Sequence, residues 1–210
     1  MRYAPDSAVL LLTLLAAPAA AQQSAFNYAP AVAQPEVDAI RASTMKYTDI
    51  KIALSEGYML PAEHCMVAND EGQPRQLGAM GLHFIRPDLL KPTQTAPRVD
   101  GVGTHADFNQ PGVLIYEPQA DGSMELVAIE NLVWVKAWEA AGNTAPPSYN
   151  GYDYYLMIDN PATPNVDEAH GFEPHYELHW WMYRENPNGQ FAPFNPAVTC
   201  ENYKPTSHAH

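Results

Sequence analysis

The chain has 210 residues, of which 24 are acidic and 11 basic, for a formal net charge of −13. That balance sets aside nucleic acid and anionic membrane surfaces as expected partners, since both demand a basic footprint. The 20 prolines set aside a helical bundle, because proline breaks helices and central strands alike.

The N-terminal residues read as an export signal. Ala8 to Ala20 (AVLLLTLLAAPAA) is an apolar run of about a dozen residues, too short to span a bilayer comfortably. It follows Arg2 and ends in Ala19-Ala20-Ala21, a small-residue cleavage pattern, so residues 1–21 are expected to be a secretory signal peptide. Asp6 dilutes the positive region before the run, and an uncleaved anchor is the alternative reading. No later segment is apolar enough to cross a membrane, so a periplasmic or extracellular location is expected, with no membrane insertion after signal cleavage. Residues 22–35 are rich in Ala, Pro and Gln and are expected to form a disordered lead-in. A single domain is expected over 36–203, followed by a flexible tail at 204–210 that carries His208 and His210.

The first predicted element is a helix, EVDAIRASTMKYTDIKIALSEGY. Pro35 suits its first turn, and Val37, Ile40, Thr44, Tyr47, Ile50 or Lys51, and Leu54 form one apolar stripe. Gly57 is its natural stop. Short β-like runs follow, separated by Pro, Gly, Asn and Asp: AMGLHFI (79–85), GVLIYE (112–117), MELVAIENLVWV (124–135), YDYYLMI (152–158) and HYELHWWMY (175–183). Long polar loops are expected over 86–110 and 137–151, and ADGS (120–123) has the spacing of a hairpin turn. RENPNGQFAPFNPAVTC (184–200) closes the domain as a lid or a seam, with Phe191 and Phe194 laid onto the sheet. The expected fold class is α+β, mainly antiparallel β: a sheet or open barrel with an N-terminal helix packed against it.

Cys65 and Cys200 are the two cysteines, and a pair in an oxidising compartment is most simply a disulfide. A cysteine ligand or nucleophile is the alternative, with His64 beside Cys65 in its favour.

Alternation along HYELHWWMY puts His175, Glu177, His179 and Trp181 on one face and Tyr176, Leu178, Trp180 and Met182 on the other. Same-face neighbours on a strand are about 7 Å apart, close enough for their side chains to converge on one ion. In AMGLHFI, His83 falls out of phase with Met80, Leu82 and Phe84. In MELVAIENLVWV, Glu130 interrupts an apolar run, where a carboxylate is costly unless paired, protonated or metal-bound. His83, Glu130 and His179 are the expected metal ligands, and Glu177 is a second-layer or acid/base candidate. Imidazole nitrogen and carboxylate oxygen suit a divalent transition metal, with zinc, copper and iron all open.

The bland alternatives are specific. His175 and Glu177 would be solvated on a wet sheet face. The histidines would be hydrogen-bonded core residues, and Glu130 would pair with Arg86, Lys136 or Arg184. His105 and His170 are weaker loop candidates. A non-catalytic module holding a small-molecule ligand at an aromatic mouth (Trp134, Trp138, Tyr154, Trp180 or Trp181) is a further reading, as is a structural envelope protein. No nucleophile elbow, phosphate loop, H-E-x-x-H pair or dinucleotide fingerprint is present.

The segments AIRASTMKYTDIKIALSEGY, GAMGLHF, LVAIENLV and YELHWWMYRENPNGQFAPFNPAVTC resemble a group of uncharacterised secreted bacterial proteins. Their pattern is a helix ending in Gly-Tyr, an M-G-x-H segment, a glutamate-bearing strand, and E-L-H-x-W before an N-P-x-G-x-F turn and a final Cys. Gly57, Tyr58, Cys65, His83, Glu130, Glu177, His179 and Cys200 fall on those positions. The resemblance implies a family and no reaction.

Overall fold

The computed structural model describes residues 31–61, 64–92, 103–169 and 171–205. The expected signal peptide, residues 22–30 of the lead-in, His170, and the tail from 206 lie outside the described residues.

Gln34–Thr44 (α1) opens the fold, with Pro35 at its start. The single helix expected from the apolar stripe is broken. A 3₁₀ turn covers Met45–Thr48, and a second helix, Ile50–Ser55 (α2), restarts after Asp49. Asp49 causes the break: its backbone is extended, and its carboxylate accepts the Lys51 N–H at 3.0 Å, an N-cap in the middle of the stripe. The restart rotates the inward face. Ile40, Thr44 and Tyr47 are buried as the stripe requires, but Ala53 points inward where Leu54 was expected, and Leu54 is half exposed.

Six antiparallel strands curl into a half-barrel behind these helices. They are Met66–Val67 (β1), Ala79–Ile85 (β2), Val113–Pro118 (β3), Met124–Trp134 (β4), Tyr155–Met157 (β7) and His175–Trp180 (β8), ordered β1-β2-β3-β4-β8-β7. Ser148–Tyr149 (β5) and Tyr152–Asp153 (β6) form a separate small ribbon, so the expected strand 152–158 is split at Tyr154. The β3–β4 connection is the expected tight turn: Asp121 Oδ1 accepts the Ser123 N–H at 2.9 Å and Gly122 takes a positive φ. A short helix at Pro87–Leu90 (α3) lies in the expected loop 86–110, and another at Val135–Ala140 (α4) takes the last residue of the expected strand 124–135 and the start of the expected loop 137–151.

Both faces of the sheet are buried. One carries Leu82, Phe84, Leu114, Tyr116, Ile129 and Trp180, packed on Ile40, Tyr47 and Ala53 of the helices. Tyr116 Oη donates to the Tyr47 carbonyl at 2.7 Å, fixing helix to sheet. The opposite face carries Ile85, Val113, Ile115, Leu132, Trp134 and Trp181, covered in part by Val198 of the closing segment. That segment is a seam: Phe191 and Phe194 are buried, Asn195 bridges to Ala79, and Cys200 is disulfide-bonded to Cys65 across 135 residues. Among the described residues no helix is long and apolar enough to cross a membrane.

Candidate metal centre

Strand register brings the expected ligands together. Glu130 of β4 pairs directly with His179 of β8, and Val113 of β3 pairs with Glu130 on its other side. His83 pairs with Ile115, so it lies one strand further out and reaches across β3. All three side chains project from the face opposite the helices. His83 Nε2 is 3.4 Å from Glu130 Oε2 and 3.4 Å from His179 Nε2, and His179 Nε2 is 3.7 Å from Glu130 Oε2. Ligand atoms from the three residues therefore lie within 4.8 Å of one another.

Glu130 is completely buried, and neither of its oxygens accepts a hydrogen bond among the described residues. Burial pushes its pKa well above the usual carboxylate range, and the nearby Glu177 charge pushes it further. The basic partners that would have made Glu130 a plain ion pair are engaged elsewhere. Arg86 binds Asp88, Lys136 binds Glu139, and Arg184 binds Glu117 and Glu125. Two imidazole nitrogens and a carboxylate oxygen thus face each other at lone-pair distance, so a proton or a cation must lie among them.

The next layer sets tautomers. His179 Nδ1 faces Glu177 Oε1 at 3.6 Å, which favours a proton on Nδ1 and leaves Nε2 as the lone-pair nitrogen toward His83 and Glu130. The His179 ring stacks on Trp181, with planes 10° apart. Glu177 Oε2 in turn faces His175 Nε2 at 3.5 Å, while His175 Nδ1 lies 3.0 Å from the Glu173 carbonyl. A carbonyl only accepts, so Nδ1 of His175 carries the proton. The wet-face alternative fails here, because His175, Glu177 and His179 are all completely buried.

Comparison with family models, with curated proteins and with solved structures finds no match to this chain. The geometry alone carries the reading.

His83, Glu130 and Glu177 open onto a cavity of about 160 Å³. Its walls are Ile85, Val113 and Leu132 from the sheet, with Met66 and Phe172 closing the sides. The mouth is formed by Pro61, His64, Asp167 and Gly171, from two loops that no periodicity in the sequence singles out. His64 could be found only through its neighbour Cys65. The disulfide anchors that loop, and no residue of the closing segment 184–200 lines the cavity.

The other expected residues disperse. His105 Nε2 contacts the Gln110 carbonyl at 2.6 Å in an exposed loop, away from the cluster. The aromatic mouth does not form as expected: Trp180 and Tyr154 belong to the helix-side core, Trp134 and Trp181 to the opposite one. Trp138 donates to the Ala145 carbonyl at 2.7 Å.

Proposed function

We propose that the protein binds one divalent transition-metal ion through His83 Nε2, a Glu130 oxygen and His179 Nε2, leaving a coordination position toward the cavity. The observation that supports this is the triangle of donor atoms with edges of 3.4, 3.4 and 3.7 Å. A tetrahedral ion with ligand bonds near 2.1 Å separates its ligands by about 3.4 Å, whereas an octahedral one needs edges of about 3.0 Å. The spacing favours tetrahedral zinc over octahedral iron and over tetragonal copper(II), whose adjacent ligands share the shorter edge. Three protein ligands and an open position are the pattern of a centre that polarises water or a substrate. Glu177, beside His179 and lining the cavity, is the candidate proton acceptor and the group that orients the imidazole. The disulfide fits a site of action in an oxidising compartment, the periplasm or outside the cell.

The test is metal analysis of untagged protein, alongside a variant lacking His208 and His210 so that terminal histidines cannot supply the signal. One ion per chain is expected in both, lost in His83→Ala and in His179→Ala. Trace metal, equal in all four proteins, would leave a buried polar network and no metal centre.

A further inference from the structure

The cavity next to the ligand triangle carries information about what the centre would receive, and this inference rests on the metal reading above. Three features converge. The first is size: a cavity of about 150 Å³ is the volume that holds a benzene molecule, and this one is of about 160 Å³. The second is the wall, which is hydrocarbon on the sheet side (Ile85, Val113, Leu132) and has Met66 and Phe172 around it.

The third is charge. Among the described residues no lysine or arginine lines the cavity. With a divalent ion in place, Glu130 and Glu177 balance it, so the floor presents no net field to a charged guest. Among the described residues, the acidic groups nearer the mouth are already engaged: Asp167 Oδ1 accepts the Gly171 N–H at 2.7 Å, and Asp70 pairs with His64 at 3.0 Å. A carboxylate, phosphate or ammonium entering here would shed water and leave an uncompensated net charge in an apolar cavity whose own charges already balance, which is unfavourable.

We propose that the site takes a compact uncharged molecule of about five to eight non-hydrogen atoms, with one lone-pair donor directed at the metal and an apolar body against Val113, Leu132 and Phe172. The class comprises small alcohols, carbonyl compounds and azoles, and leaves out acids and phosphate esters.

The experiment uses the full protein loaded with Co(II), whose visible spectrum reports its ligands directly. Pyrazole and 4-methylpyrazole are the neutral probes; acetate and inorganic phosphate are the anionic ones. Saturable spectral changes are expected with both azoles, about fourfold tighter for the methyl derivative, because one extra buried carbon has that effect on affinity. Acetate and phosphate should leave the spectrum unchanged at concentrations that saturate the azoles. Phe172→Ala, which removes one wall of the cavity, should gain affinity for 4-phenylpyrazole, and an unchanged affinity overturns the placement of the apolar body against Phe172. Anions binding as tightly as azoles, or no advantage for the methyl group, overturn the inference. So does a cobalt-loaded protein blind to every probe. Failure to take up one cobalt per chain overturns the metal reading itself, so the two failures are distinct.

Discussion

Glu130 is the residue on which the centre turns, because its carboxylate is wholly buried, and its own fold gives it no hydrogen-bond donor among the described residues. Replacing it separates two effects. In Glu130→Gln the charge is gone, so in excess chelator at neutral pH the variant is expected to be more stable than the native chain. The gain should be about 1–3 kcal/mol, the range for a poorly compensated buried polar group. Glu130 has its proton affinity raised on folding, so this penalty on the native chain grows as pH rises from the ordinary glutamate range through the folded-state value, and vanishes below that range. With saturating zinc the order reverses, since only the carboxylate completes the ligand set. Thermal melts of both proteins, with chelator and with zinc, check this; a variant less stable under both conditions would mean Glu130 is a structural anchor. Glu130 was legible in the sequence for the same reason that it is costly: it is the one acid inside VAIENLVW. His64, Asp167 and Phe172 were not, because a rim is set by where loops land, and no spacing along the chain encodes that.

At the scale of elements, alternation in β8 sorted its residues correctly onto two faces, yet a wet outer face was an open alternative. Alternation reports which residues point together, not what covers them. The covering comes from Val198 and Cys200 of the closing segment, Phe172 in the loop before β8 and Met66 of β1, none of which alternation within β8 can report. The helix breaks at its midpoint against the apolar stripe, because Asp49 satisfies the Lys51 N–H and restarts the turn, a local bond that periodicity does not report. In β2, Gly81 has φ of +113°, and a Cβ there would meet the Tyr116 carbonyl oxygen at 2.7 Å. It lies beside the irregularity between Ile115 and Tyr116, two residues before His83. Only glycine allows that approach. Gly81→Ala is expected to cost about 1–3 kcal/mol from backbone strain and to weaken metal binding by shifting His83. Denaturant unfolding and metal titration measure the two separately; an alanine variant with native stability would show that β2 tolerates the side chain.

Over the whole molecule, two long-range ties hold the half-barrel: the covalent one between Cys65 and Cys200, and the proposed ion linking β2, β4 and β8. They act on different states. The disulfide closes a loop of 135 residues, which in the chain-entropy description destabilises the unfolded chain by about 5 kcal/mol. The ion stabilises the folded chain by mass action, about 2.7 kcal/mol at a hundred times its dissociation constant. For a domain of this size each kcal/mol moves Tm by about 2–4 °C. The ligands are positioned by strand ladders β2–β3–β4–β8, not by the loop that Cys65 anchors, so the two contributions should add to within about 0.5 kcal/mol. The measurement is a four-way comparison: native chain and Cys65→Ser/Cys200→Ser, each with zinc and with chelator. Zinc should raise Tm by a similar amount in both chains, and the serine pair should lower it by a similar amount with or without zinc. A zinc effect that disappears with the disulfide would mean that the Cys65 loop, through Met66 and its pairing with Gly81, holds the ligand strand β2 in place. The ion would then depend on the covalent tie rather than standing beside it.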